Sequence, residues 1–375
     1  MKKLIDICDI QYGYAFDSVN FTNDKSYLPL VRIRDVKRGY SETFYKGEYP
    51  EEYVVHKDDL LVGMDGEFNI ARWRDRDALL NQRVCKISAK QDNNGEYIRF
   101  ALMRILKKIE DKTAFVTVKH LSAKELNKVA WEIPGIEKQN EIANTLDILE
   151  RILESRQEEL KKLDDFVRAR FVEMFWDSDD NWREVKIADI CSDMRTGPFG
   201  SALHHDEFVD NGIFVLGIDN AVENKFSYNR MRYITEEKYE KLKRYTVQPG
   251  DVIITIMGTV GRSAVIPPDI PKAINTKHLA CLTPNIEVVD SYFLTNAFQV
   301  HPAIRRQLEK QSKGAIMDGL NLTVIKNLTF RLPPLDLQKQ FVDIYNQVDK
   351  SKVVVQKALD EAQLLFDSLM QQYFG

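Results

Sequence analysis

Residues 133–175 return as residues 332–374 with no insertion or deletion across the copy. Each copy closes one half of the chain, opens on proline (Pro134; Pro333 and Pro334), and runs on with no further proline and, after Gly135, no glycine. Proline is favoured at the first turn of a helix and excluded from its interior, so each copy reads as a single helix of about ten turns. A module followed by a long helix, then the same again, describes a two-fold device addressing two similar things a set distance apart.

The helical reading rests on period. In the first copy an alternating four-three spacing picks out Ile142, Leu146, Leu149, Leu153, Arg156, Leu160, Leu163, Val167, Arg170 and Met174. The second copy gives Phe341, Tyr345, Val348, Lys352, Val355, Leu359, Ala362, Phe366, Leu369 and Tyr373. All but Arg156, Arg170 and Lys352 are apolar or aromatic, which is a coiled-coil seam, and a polar residue within such a seam helps fix register. An internal two-fold requires the helices to run antiparallel, pairing Ile142 with Tyr373 and Met174 with Phe341 and sending the modules to opposite ends. At 1.5 Å per residue, about 35 residues make a spacer roughly 50 Å long.

These helices divide the chain into a first module (1–135), a helix (136–178), a second module (179–335) and a second helix (336–375). The fold class expected is α+β, two mixed α/β modules related by a pseudo-two-fold and separated by an antiparallel coiled coil. Hydrophobic residues at 44% and charged residues at 29% are ordinary for a soluble globular protein. No apolar run approaches the length of a membrane span, and nothing resembles a signal peptide. Cys8, Cys85, Cys191 and Cys281 stand far apart without zinc-like spacing, and read as buried free thiols of a cytoplasmic protein.

The net charge of −4 is unevenly spread: the helices carry −6 and the modules +2. Basic residues in the modules come in runs, several interleaved with aromatics. They are Arg32, Arg34, Lys37 and Arg38; Arg72, Arg74 and Arg76 around Trp73; Arg230 and Arg232 near Tyr228 and Tyr233; Lys241, Lys243 and Arg244; and Arg305, Arg306, Lys310 and Lys313. Such runs suit phosphate contact, although a solvated face is the commoner reason for any one of them.

The repeat extends into the modules. Residues 4–8 match 187–191, each soon followed by a glycine and an aromatic, Gly13 with Phe16 and Gly197 with Phe199. The run ending at Asp35 matches the run ending at Asn220, and residues 58–66 match 250–258: an acidic turn, a buried-type strand and a glycine loop. Asn81 matches Asn275, and 121–126 match 320–325. Between these anchors the halves differ freely, as expected of one scaffold reading two different half-sites.

This order of elements, with the helix starts Pro134 to Gln139 and Pro333 to Gln338, the two glycine loops, and Asn81 and Asn275, resembles the DNA-specificity subunit of type I restriction-modification systems. The sequence departs from that family's helix-start signature at Gly135, Lys138 and Leu337. The resemblance implies a non-catalytic subunit that binds a bipartite, asymmetric double-stranded DNA target. It also implies recruitment of two adenine-N6 methyltransferase subunits and, in the full enzyme, motor-nuclease restriction subunits. S-adenosylmethionine, ATP and Mg would then belong to the partners, and this chain would hold no cofactor or metal. The residues agree: the chain carries no amino-methyltransferase motif, its Gly258-to-Ser263 loop lacks P-loop spacing, and His204-His205 is not a zinc-protease helix.

Glycines Gly66, Gly258 and Gly261 would let backbone approach a phosphate, with Arg262 adding charge. Base reading calls for Arg, Asn or Gln from the variable loops. The candidates are Arg32, Arg34, Lys37, Arg72, Arg74 and Arg76 in the first module, and Arg195, Lys225, Arg230, Arg232, Lys277 and Lys313 in the second. Arg195 stands before a Thr196-Gly197-Pro198 turn that would point it outward. Glu150, Glu154, Glu158 and Asp164 on the first helix read as solvated, or as docking positions for a methyltransferase. A duplicated coiled-coil scaffold that binds no DNA would explain the helices and their acidity, but not the glycine loops or the arginine runs.

Overall fold

The computed structural model describes residues 1–112, 120–176, 182–199, 202–312 and 320–375. The two long helices span Ile136–Phe175 and Leu335–Phe374, 40 residues each, with boundaries related by the same offset as the sequence repeat. Contacts divide the chain into two units: residues 1–157 with 356–375, and residues 158–355. Each unit therefore holds one module, one part of its own helix and one part of the other.

The units repeat one topology. In the first, strands Cys8–Tyr12, Val84–Ala89, Leu60–Gly63 and Asn69–Arg72 form an antiparallel sheet in that order. In the second, Cys191–Thr196, Leu279–Pro284, Val252–Thr255 and Ser263–Val265 stand in the same order. A second sheet in each unit is built on one parallel pair, Leu30 and Val31 beside Leu79 and Leu80, or Phe214–Leu216 beside Ala273–Asn275. A two-stranded ribbon, Lys2–Lys3 with Ala130–Trp131 or Glu184–Lys186 with Thr329–Arg331, ties the start of each module to its end.

One helix, Gly95–Lys112, covers the first four-stranded sheet. Its counterpart is broken into Ser291–Val300 and Pro302–Ser312, because Pro302 lacks the N–H that would continue the ladder. In the first unit Ile142, Leu146, Leu149 and Leu153 of the first long helix share a core with Phe366, Met370 and Phe374 of the second. Ring contacts at 5.3 Å (Tyr97 with Phe374) and 6.0 Å (Phe100 with Phe366) join the helix pair to the covering helix. In the second unit Val167, Phe171 and Phe175 meet Phe341, Val342 and Val348, with Phe171 and Phe341 rings 5.2 Å apart. The beginning of each long helix thus packs on the end of the other, and the pair runs antiparallel.

Every seam position expected from period is buried or half-buried, including Leu160, Leu163, Tyr345, Val355, Leu359 and Leu369. Lys352, the polar seam residue of the second helix, pairs with Asp164 at 2.5 Å within the second unit. The seam also widens beyond the four-three pattern. Phe171 and Phe175, and at matched positions Met370 and Phe374, are buried because each helix end covers its partner and a module together.

The repeated glutamines explain the repeated spacing of the helix starts. The Gln139 amide donates to the Pro134 carbonyl (2.9 Å), and its oxygen accepts from the backbone N–H of Asn94 at the start of the covering helix (2.9 Å). Gln338 repeats both bonds with Pro333 and Asp290, each at 2.9 Å. These side chains, 2% and 0% exposed, give orphaned first-turn groups a partner and fasten two helix starts together.

Cys8, Cys85 and Cys281 are buried, but Cys191 is only half-buried, short of the burial expected from sequence. Burial pushes the Cys8 and Cys85 thiols up to about 12. Among the described residues no helix is long and apolar enough to cross a membrane, and no group of three His, Cys, Asp or Glu could hold a metal.

Gly13 and Gly197 lie against the backbone carbonyls of Asn81 and Asn275, so a methyl group at either would fall inside those carbonyls. Gly13→Ala and Gly197→Ala should each lower stability by about 1–3 kcal/mol. Gly135→Ala, which meets nothing within 4 Å, should be neutral or slightly stabilising; chemical denaturation midpoints check all three.

Candidate nucleic-acid interface

Three segments converge at one end of each four-stranded sheet through matched backbone bonds. In the first unit the Met64 N–H donates to the Arg83 carbonyl (2.9 Å), and the Met64 carbonyl accepts from Leu121 (2.7 Å). In the second, Ile256 donates to His278 (2.9 Å) and accepts from Leu320 (3.1 Å). The glycine loop, the turn after Asn81 or Asn275, and the chain returning to the long helix therefore meet at one place in each module.

The loops share one backbone turn, Gly66 with φ +70° and Gly258 with φ +69°, conformations that glycine adopts without steric cost, although the second loop is longer. Their side chains differ. Gly66 lies between Asp65 and Glu67, so a phosphate there would face two carboxylates. Gly258 is followed by Gly261 (φ +80°) and an exposed Arg262, with Arg305 close to Gly261, which favours an anion. The loop at Gly258, Gly261 and Arg262 thus carries local positive charge, while the carboxylates beside Gly66 are paired with Arg83 and Lys37.

Arg32, Arg34 and Lys37 are exposed on or just before the short helix Ile33–Arg38, whose Ile33 packs at Gly63 and whose Lys37 reaches Glu67 of the glycine loop at 2.9 Å. Their counterpart is the turn at Gly217, Asp219 and Asn220. Both turns are closed by the same bond, Arg32 N–H to Asp35 (2.9 Å) and Gly217 N–H to Asn220 (2.8 Å). Arg232 lies over Gly217 and pairs with Asp219 at 2.7 Å. Arg230 (φ +51°) and Lys277 are exposed, whereas Lys313 lies outside the described residues.

Four further arginines among the candidates are engaged by the protein's own groups. Arg72 donates to Glu96 (2.7 Å) and to Asp147 on the long helix (2.8 Å). Against burial, which would raise it, the Arg72 hydrogen bond and the Arg99 charge hold the Glu96 carboxyl below the usual carboxylate range. Arg74 pairs with Glu154, and Arg76 donates to the carbonyls of Lys25 (2.7 Å) and Tyr27 (2.8 Å). Arg195 turns inward, not outward, to Asp251 (2.9 Å), Asp193 (2.6 Å) and the Thr246 carbonyl (2.6 Å). Lys225, though exposed, is held by Asp349 at 2.8 Å.

Of the acids expected to be solvated, Glu154, Glu158 and Asp164 are exposed and carry surface ion pairs, Glu158 with Lys162 at 2.9 Å, whereas Glu150 is half-buried and gripped by Arg99 with two bonds of 3.0 and 2.6 Å. Sequence reasoning missed Gln82, Arg83 and His120 at the first junction and His278 at the second. The signal was available, since Gln82 and Arg83 directly follow the matched Asn81 just as Lys277 follows Asn275 by two.

The model of the type I restriction modification DNA specificity domain matches residues 1–164 and again 179–362. The chain belongs to that family. It is 30% identical to the type I restriction enzyme EcoBI specificity subunit of Escherichia coli, over 98% of this chain and 84% of that one. The MjaVIII specificity subunit of Methanocaldococcus jannaschii is 19% identical over 89% of this chain and 84% of its own. Among solved structures, the type I restriction-modification S subunit from M. genitalium superposes with a TM-score of 0.61 at 16% identity, covering 100% of this chain and 95% of that one. That likeness confirms the fold, two mixed α/β modules with long helices.

Removing Arg195 would leave Asp251, 1% exposed, buried without its cation. Arg195→Ala should cost about 3 kcal/mol of stability, whereas Arg262→Ala should stay within about 0.5 kcal/mol; thermal or denaturant unfolding of the two variants tests the contrast.

Proposed function

We propose that each module reads one half of a bipartite double-stranded DNA target at its three-segment junction, and that the helix pair sets the distance between the half-sites. The observation that carries this reading is the junction itself: one backbone built twice, presenting unlike polar side chains. Phosphate contacts supply affinity and base edges supply specificity. In the second module Arg262, Lys277 and Arg230 are exposed and suited to the first task; in the first, Arg32, Arg34 and Lys37 are.

The chain carries no catalytic constellation of its own in this reading. Two methyltransferase subunits, and restriction subunits where present, would supply S-adenosylmethionine, ATP and Mg chemistry. A net charge of −4 gives the chain alone little long-range attraction for DNA, so tight binding belongs to the assembled complex.

Two outcomes test the reading on the complex with co-expressed methyltransferase. Arg262→Ala and Lys277→Ala should each weaken binding to all sequences alike and lower the slope of log affinity against log salt by about 1. Removing one matched heptad from both long helices should change the preferred spacer between half-sites and leave the half-sites themselves intact, as read by methylation-site mapping. An unchanged spacer would refute the role given to the helices.

A further inference from the structure

We infer that Arg83 is a guanine-reading residue of the first module, an inference that rests on the DNA-reading function proposed above. The residue stands at the junction, where its own carbonyl receives the Met64 N–H. Its backbone has φ +72°, a conformation that costs a residue with a Cβ about 1–2 kcal/mol and persists where the surroundings impose it. Of the other non-glycine residues with positive φ among the described residues, Asp58, Asp92 and Asn224 are of the types that tolerate it, and Arg230 of the second module is, like Arg83, of a type that does not.

The side chain is half exposed, at 51%, yet it is not loose. Its Nη1 lies 3.2 Å from Asp65 Oδ2 and 3.1 Å from His120 Nδ1, and Asp65 in turn contacts His120 Nδ1 at 2.5 Å. Asp65 is 21% exposed and sits in the glycine loop, so that segment holds one guanidinium nitrogen, while His120 from the third segment lies against the same carboxylate. Among the described residues Nε and Nη2 make no hydrogen bond, and together they form the side-on fork that fits guanine O6 and N7. A carboxylate that fixes one end of an arginine reduces the rotamer freedom to be lost when the other end binds. In the second module the matching turn offers Lys277 and His278, with no carboxylate at the glycine loop and no positive φ at either residue, so this fork has no counterpart at that turn.

The test uses the whole complex with its methyltransferase subunits in cells, with the methylated motif mapped genome-wide for wild type and variants. Wild type should mark a bipartite motif with a fixed guanine in one half. Arg83→Gly, which removes the side chain and relieves the positive φ so that folding is preserved, should reduce discrimination at that one position about 10–100-fold and leave the other half-site unchanged. Arg83→Lys should fail to restore it, because a point charge lacks the fork, and Asp65→Asn should relax the same position. An unaltered motif in Arg83→Gly, or a uniform loss across sequences that Arg83→Lys rescues, would overturn the inference and mark Arg83 as idle or as a phosphate contact. A wild-type complex that marks no bipartite motif would instead refute the parent reading of DNA recognition.

Discussion

Each unit is completed by a helix end that belongs to the other copy of the repeat. Phe366, Met370 and Phe374 close the core beneath the first module's sheet, and Phe171 and Phe175 enter the core of the second. Fully burying one such side chain contributes about 1.5–3 kcal/mol, so losing either end would open a large apolar face. This dependence accounts for the uninterrupted repeat. Inserting one residue in a long helix would turn everything beyond it through about 100°, removing one end's apolar row from its core while the other end stayed seated.

The same constraint gives the glutamines their importance. A helix whose two ends serve two cores must begin at a defined height and rotation. Gln139 and Gln338 provide that by joining the helix start to a proline carbonyl behind it and to the covering helix beside it. In the first unit Arg72, Arg74 and Arg99 add charge-assisted bonds from the module to Asp147, Glu154 and Glu150. In the second, Lys225 uses Asp349, the residue that occupies the Glu150 position of the other helix.

What could be read from sequence was whatever repeats or has a period. The seam, the helix boundaries and the anchors at Gly13 and Gly197, Asn81 and Asn275 follow from local pattern and self-comparison. The arginines did not, because their partners are distant in sequence and charge alone does not reveal them. Arg195 shows why. Asp59 in the first module takes Lys86 from the neighbouring strand at 2.8 Å, but the strand register places Cys281 at the Lys86 position of the second module. Asp251 is left without that lysine, and Arg195 turns inward from the next strand to neutralise it. Nothing local to Arg195 announces this compensation.

The junctions show how one scaffold yields two chemistries. With the backbone held by the same bonds at Met64 and Ile256, changing a few side chains inverts the local charge without disturbing the sheet behind. Asp65 and Glu67 in one loop each hold a cation, Arg83 and Lys37, whereas the other loop carries Gly261 and an exposed Arg262 with no carboxylate beside its glycine. A half-site preference built this way resides in side chains whose supports are glycines and backbone bonds. The preference can therefore change while the core and the helix seam, which depend on shape and period, remain as they are.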